Sequence, residues 1–295
     1  MNHTMQYSYA ENGYLIVEDA FSADEIAALR RETLSMCRGE CGPIQGMPEI
    51  LPGDSDDDVM RRVLCIHFPH KISPLMLETM NHPAIVDTLT QVIGANVKCM
   101  QSMLFVKSAG KPGQAWHQDE DFIPTRDRSL CGAWIAMDDA TVENGCLWII
   151  SGSHKPGILW ELKHQDDPAF DCTDISTGFP YTDADAIAVE VKAGTVVLFN
   201  GYTLHQSLPN VAQSGYRRAL VYHYMSASSL LPWRRPNEGE WVSTLDHRDI
   251  VMVAGKDPYA HKGFEDLMKP HIRPDKHGGC KYEEDNKALV GSDDD

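Results

Sequence analysis

The sequence predicts an α+β protein whose core is mainly β, and three observations carry that prediction. Helical patterns are confined to roughly the first 95 residues. Short β-branched and aromatic runs crowd the stretch from 97 to 224, and no internal repeat divides the 295 residues. Helices first and strands afterwards suit a sandwich or barrel with helices on its flank.

Taken in order, Gly13-Tyr-Leu-Ile-Val17 reads as a short buried strand. Ser22 and Glu25 then form a capping box, in which each residue satisfies a backbone N–H of the other. The helix they open runs to about Cys37, with Ile26, Leu29 and Leu34 near helical spacing. Residues 39–60 hold four Gly and three Pro and then Asp54-Ser-Asp-Asp-Asp58, a composition that predicts a mobile polar loop. A second helix fits His82–Ile93, stopped by Gly94.

Strand signals follow at 97–107, 130–137, 146–150, 187–191, 195–199 and 217–224. Asn144-Gly145 is a strong hairpin signal between the second and third of these, because both residues tolerate a positive φ. No domain boundary appears. One domain over 1–282 is expected, with a helical part at about 1–95, a β core at about 96–226 and an irregular part at 227–282. Residues 283–295, ending Gly-Ser-Asp-Asp-Asp, are expected to form a disordered acidic tail.

Composition narrows the function classes. A formal net charge of -17 disfavours phosphate backbones and anionic membrane surfaces, so neither nucleic acid nor membrane is an expected partner. No apolar run approaches the roughly 20 residues of a membrane span, and the first residues lack a secretory pattern. Eight scattered cysteines, of which only Cys37 and Cys41 are close, read as reduced thiols rather than a zinc site. A cytoplasmic protein, monomeric or homodimeric, is the expectation.

The chain contains three His-x-acid triplets, where random order of its 13 His and 43 Asp plus Glu gives about two. The triplet alone therefore decides nothing. His164-Gln-Asp166 and His247-Arg-Asp249 sit in polar surroundings without a strand signature. His117-Gln-Asp119 lies between two predicted strands, at the mouth of the β region, where a rigid frame holds ligands at low entropic cost. His205 lies just beyond the apolar strand Thr195–Phe199 and can point at the same mouth. Two imidazoles and a carboxylate on one face are the ligand set of non-haem Fe(II) oxygenases.

Seven segments then align in order: Gln101-Ser-Met-Leu104, Trp116-His-Gln-Asp119, Ala133-Trp134, Glu143-Asn-Gly-Cys-Leu147, Gly152-Ser-His154, His205-x-Ser207 and Arg217-x-Ala219. On these the sequence resembles the phytanoyl-CoA dioxygenase (PhyH) family of Fe(II)- and 2-oxoglutarate-dependent oxygenases. The resemblance spans about 97–225, with a looser helical N-terminal segment. It implies a double-stranded β-helix, or jelly-roll, core of the cupin type. It also implies that His117, Asp119 and His205 hold Fe(II). Related halogenases carry a small residue in place of the carboxylate, so an intact Asp119 implies hydroxylation or another oxidation.

The far carboxylate of 2-oxoglutarate calls for a cation with a matching fork of donors. Arg217 and Arg218 both offer one, and strand alternation leaves the choice open, because 219-221-223 and 220-222-224 could each line a core. The resemblance favours Arg217. It adds Ser207, Met103, Gln118 and Trp134 as further co-substrate contacts. His67, in the stretch Cys65–Lys71, is the candidate for an additional one. Met103 and Trp134 also suit plain β-core packing, and Asn210 suits a turn.

The implied activity is a dioxygenase that hydroxylates or otherwise oxidises an unactivated C–H bond of a small metabolite. It takes 2-oxoglutarate and O2 as co-substrates, with ascorbate as a reductant, and releases succinate and CO2. The alternatives are a cupin-type metalloenzyme that does not use 2-oxoglutarate and a non-catalytic jelly-roll binding protein. Loop 39–60, the insertion after His154 and residues 230–280, with Trp160, Trp233 and Trp241, are the expected cover of the substrate.

Overall fold

The capping box read at Ser22 forms as expected in the computed structural model, which describes residues 3–171, 173–231 and 246–273. Ser22 Oγ accepts from Glu25 N at 3.3 Å, and Glu25 Oε2 accepts from Ser22 N at 2.8 Å. The helix so opened is Ala23–Cys37 (α2), preceded by His3–Asn12 (α1). Its buried residues Ile26, Leu29, Thr33, Met36 and Cys37 fall three to four apart and make one face.

Asp56–Arg61 (α3) corrects the loop expected over 39–60. Ser55 and Asp58 form a second capping box, and the acidic run lies in the first turn, where a helix dipole favours negative charge. Pro74–Thr79 (α4) and Pro83–Val92 (α5) follow, the latter close to the range read from the sequence, with His82 at its N-cap. Asp119–Phe122 (α6) is a single turn.

Fourteen strands complete the described residues. They are Tyr14–Val17 (β1), Cys65–His67 (β2), Val97–Ser108 (β3), Gln114–His117 (β4), Cys131–Ala136 (β5), Leu147–Ile150 (β6) and Glu161–Lys163 (β7). Ile175–Thr177 (β8), Ala186–Val189 (β9), Val196–Asn200 (β10), His205–Ser207 (β11), Tyr216–Ser226 (β12), Val251–Ala254 (β13) and His271–Arg273 (β14) follow. The major sheet runs β1-β10-β5-β12-β3-β2-β14, with β13 also on β3. The minor sheet runs β4-β11-β6-β9, and β7 pairs with β8. Every pairing between these strands is antiparallel, and the two sheets make the jelly roll that the sequence led us to expect.

Asn144-Gly145 does make a turn, with Gly145 at φ 83° and Asn144 Oδ1 accepting from Thr141 N at 2.8 Å. It does not make the hairpin. β5 belongs to the major sheet and β6 to the minor one, so this connection carries the chain across the sandwich.

Alternation along β12 sorts the core into two layers. Leu220, Tyr222 and Tyr224 face the helices with Leu29, Met36, Ile85 and Leu89. The Tyr222 hydroxyl donates to Met76 O at 2.5 Å and that of Tyr224 to Met80 O at 2.9 Å, which ties α4 and the residue after it to the sheet. Ala219 and Val221 face the other way, into the space between the sheets, with Met103, Trp134, Leu147 and Phe199.

Candidate metal centre

The site is built row by row on that inner face. Val221 pairs in register with Met103 on one side and Trp134 on the other. One row outward, His223 pairs with Gln101 and with Gly132. Two rows inward, beyond Ala219, Arg217 pairs with Lys107. A cavity of about 220 Å³ runs along these rows, lined by residues of both sheets.

The minor sheet supplies the imidazoles. β4 and β11 pair with His117 directly opposite His205, and the ring centroids lie 4.1 Å apart. His205 is thus itself a strand residue, in the sheet opposite β10, rather than a loop residue trailing it. Asp119 opens α6 two residues after His117. Its Oδ1 lies 3.6 Å from His117 Nε2 and 3.7 Å from His205 Nε2. One ligand atom from each residue falls within 4.8 Å of the others, and all three residues are buried.

The tautomers suit a metal. His117 Nδ1 is 2.7 Å from the Ala115 carbonyl and His205 Nδ1 is 3.0 Å from that of Thr203. A carbonyl only accepts, so each Nδ1 carries the proton and each Nε2 presents a lone pair towards Asp119. Burial, then the neighbouring His205, pushes the pKa of His117 down to about 3, so the ring is neutral at physiological pH. Burial works to raise the Asp119 pKa, but His223, His205 and His117 outweigh it and keep the carboxyl ionised. Two imidazoles with one carboxylate fit a borderline divalent ion such as Fe(II).

His223 was not singled out as a site residue from the sequence. Its Nε2 lies 3.1 Å from Asp119 Oδ2, the oxygen that the ligand imidazoles do not approach most closely. The signal was available: 217, 219, 221 and 223 share one face of a strand, so placing Arg217 inside places His223 inside too. Gly132 makes room for this contact. A Cβ there would stand 2.6 Å from the Phe199 ring and 3.3 Å from Asp119 Oδ2.

At the inner end Arg217 is 2% exposed, and its Nε donates to Gly145 O at 3.0 Å. Its guanidinium stands 5.5 Å from the centroid of the Trp134 ring. Among the described residues no carboxylate pairs with it, and burial lowers its pKa to about 10. Arg218 points to the other face and makes a two-pronged bond to Asp138, with both contacts at 2.8 Å. Ser207, Met103, Trp134 and His67 line the same cavity as Arg217.

Gln118 does not line it. Its amide donates to Ile158 O at 3.0 Å and Tyr202 O at 2.7 Å and accepts from Trp160 N at 2.9 Å, so it braces loops behind the site. Asn210 holds a turn, donating to Lys107 O and accepting from Ala212 N. Trp160 packs in a separate apolar cluster, while Trp233 and Trp241 lie outside the described residues. From the segment after His154 and from 230–280, the cavity lining does include Thr173 and Arg273, the latter paired with Asp171 at 2.9 Å.

The profile of the phytanoyl-CoA dioxygenase (PhyH) family matches residues 9–219, well over half of the chain. The chain belongs to that family. A phytanoyl-CoA dioxygenase of Arabidopsis thaliana is 32% identical over 179 residues, which cover 60% of each chain. The chain thus spans about three fifths of the length of the curated relatives it matches first. Among solved structures, the apo non-heme monooxygenase ThoJ superposes with a TM-score of 0.66 at 17% identity, over 97% of this chain and 92% of that one. The epimerase SnoN, in complex with Fe3+, alpha ketoglutarate and nogalamycin RO, gives 0.62 at 18% identity, over 85% and 97%. These likenesses establish the jelly-roll fold in common with the family. Among the described residues, no helix is long and apolar enough to cross a membrane.

Proposed function

We propose that this PhyH-family chain is an Fe(II)- and 2-oxoglutarate-dependent dioxygenase that oxidises a C–H bond of a small metabolite. One observation carries the reading: a two-imidazole, one-carboxylate cluster and a buried guanidinium, paired with no described carboxylate, share one cavity. A metal site alone fits many hydrolases and isomerases. A metal site with a cation set deeper in the cavity fits a ligand that chelates at one end and carries a carboxylate at the other.

His117, Asp119 and His205 are the residues that would hold Fe(II), and three protein ligands leave further coordination positions to small molecules. Bound iron, with 2-oxoglutarate and O2, supplies the oxidising power for an unactivated C–H bond, releasing succinate and CO2. The chain's own residues do the rest. His223 orients the Asp119 carboxylate. Arg217 and Ser207 receive the distal carboxylate of the co-substrate, while Met103, Trp134, Leu147 and Val221 wall the cavity and exclude water.

The cavity, about 220 Å³, lies below the roughly 300–1,000 Å³ of pockets that enclose a drug-sized ligand. A small substrate presenting one C–H at the mouth, beside Phe122, Gln206 and Arg273, fits this better than a long chain wholly enclosed. The test is succinate release from 2-oxoglutarate by the purified protein with Fe(II) and ascorbate. We expect slow turnover that Asp119→Ala abolishes. No succinate above a metal-free control, together with no binding of 2-oxoglutarate to the Mn(II)-loaded protein, overturns the assignment.

A further inference from the structure

Lys107 presents a problem that the proposed site explains. It is 2% exposed in the middle of the protein, on β3, directly opposite Arg217 on β12. Its ammonium donates to Ser207 Oγ at 3.0 Å and to Leu208 O at 2.7 Å, both neutral. Among the described residues neither Lys107 nor Arg217 has a carboxylate within ion-pairing distance. Two buried cations side by side, each solvated only by neutral dipoles, are costly to a fold. Burial, and then Arg217, lower the Lys107 pKa well below its ordinary value, a shift that an anion bound nearby would oppose.

The arrangement is built around Gly145. Its carbonyl accepts from Arg217 Nε, and a Cβ on it would stand 3.0 Å from Lys107 Nζ and 2.4 Å from Leu208 O. Its φ of 83° also belongs to glycine's range. A side chain at 145 would therefore crowd the Lys107 ammonium and the Leu208 carbonyl to which it donates.

The direction of the Ser207 proton follows from chemistry. An ammonium has donors and no acceptor, so Lys107 occupies a lone pair of Ser207 Oγ and leaves its O–H free to donate elsewhere. Ser207 lines the cavity and Lys107 lies behind it. The hydroxyl is thus left free to donate to an acceptor bound in the cavity.

We propose that Lys107 is a positioning residue that makes the inner end of the cavity select a dicarboxylic 2-oxo acid over a 2-oxo monoacid, acting through Ser207 and beside Arg217. The proposal rests on the 2-oxoglutarate reading and names what in the site demands the second carboxylate.

The test is titration of the Mn(II)-loaded protein with 2-oxoglutarate and with 2-oxobutyrate, which has the same chelating head and no distal carboxylate. Lys107→Met should bind 2-oxoglutarate about 10- to 100-fold more weakly, the range for loss of a hydrogen bond supported by a charge. Its affinity for Mn(II) and for 2-oxobutyrate should be unchanged, and Lys107→Gln, which keeps a donor without the charge, should fall between. Unaltered 2-oxoglutarate affinity, or an equal loss for both acids, overturns the proposal. If the Lys107 variants fail to fold, Ser207→Ala must show the same selective loss, and wild-type affinity in that variant overturns it equally. Wild-type protein that binds neither acid instead sinks the parent reading and this one with it.

Discussion

His223 Nε2 and Asp119 Oδ2 stand 3.1 Å apart, across the gap between β12 and the start of α6. The contact belongs to the carboxylate oxygen opposite the one nearest the two ligand imidazoles, so it sets the rotation of the carboxylate rather than competing for it. Partners of this kind, one bond removed from a metal, commonly tune affinity about 10- to 100-fold. His223→Ala is therefore expected to weaken Mn(II) binding by about that factor while leaving the thermal transition of the metal-free protein nearly unchanged. Titration of Mn(II) followed by electron paramagnetic resonance checks it. Unchanged affinity would reduce His223 to a space-filling role.

Gly132 is the second support of that carboxylate, by absence of a side chain. Gly132→Ala puts a methyl 2.6 Å from the Phe199 ring, itself packed 4.5 Å, centroid to centroid, from His205. Overpacking of this kind costs about 1–3 kcal/mol in a filled core. We expect a loss of stability in that range in urea denaturation, with a parallel loss of Mn(II) affinity, because the displaced Phe199 ring packs against His205.

These contacts show what the sequence could and could not convey. Five major-sheet strands, β1, β3, β5, β10 and β12, were legible with α2 and α5, because each carries its own period or cap, as at Ser22 and along β12. β2, β13 and β14 were not, being three or four residues long and made strands by pairing, the last two inside the part expected to be irregular. β11 was not: His205-Gln206-Ser207 is three polar residues, and only pairing with β4 and β6 makes it a strand. Asn144-Gly145 encoded a turn faithfully, but a turn dipeptide does not say which sheet receives the next strand. The metal cluster could be named by resemblance, whereas Arg273 and Asp171, 102 positions apart in sequence, meet only through the paired edge of β14 and β2. Gln118, within the shared segment, bonds loop backbone at Ile158, Tyr202 and Trp160, while its neighbours His117 and Asp119 turn to the metal cluster.

Arg217 and Arg218 should separate cleanly by experiment. Arg217→Met removes a buried cation that no described carboxylate pairs, so stability should hold or rise while 2-oxoglutarate affinity drops at least about 100-fold. Arg218→Met removes the two-pronged bond to Asp138 and should cost about 1–2 kcal/mol, softened because Arg30 also reaches that carboxylate at 3.2 Å. Its 2-oxoglutarate affinity should be that of the wild type. The reverse pattern in a paired titration and urea series would exchange their roles.

His70 should give the protein a measurable loss of stability in mild acid. Its ring is buried, with Nδ1 2.5 Å from Ser102 Oγ, and burial and then the adjacent Lys71 push its pKa down to about 4. In the unfolded chain the same ring titrates near its ordinary 6.5. The native state thus binds fewer protons between those values, and stability rises with pH there. The contribution is whole above pH about 6.5 and is lost as pH falls towards about 4, by up to about 3 kcal/mol. His70→Asn keeps a polar partner for Ser102 without a titrating ring, so it should flatten this part of the curve of unfolding free energy against pH. A slope between pH 6.5 and 4 that persists in the variant would assign it to other groups.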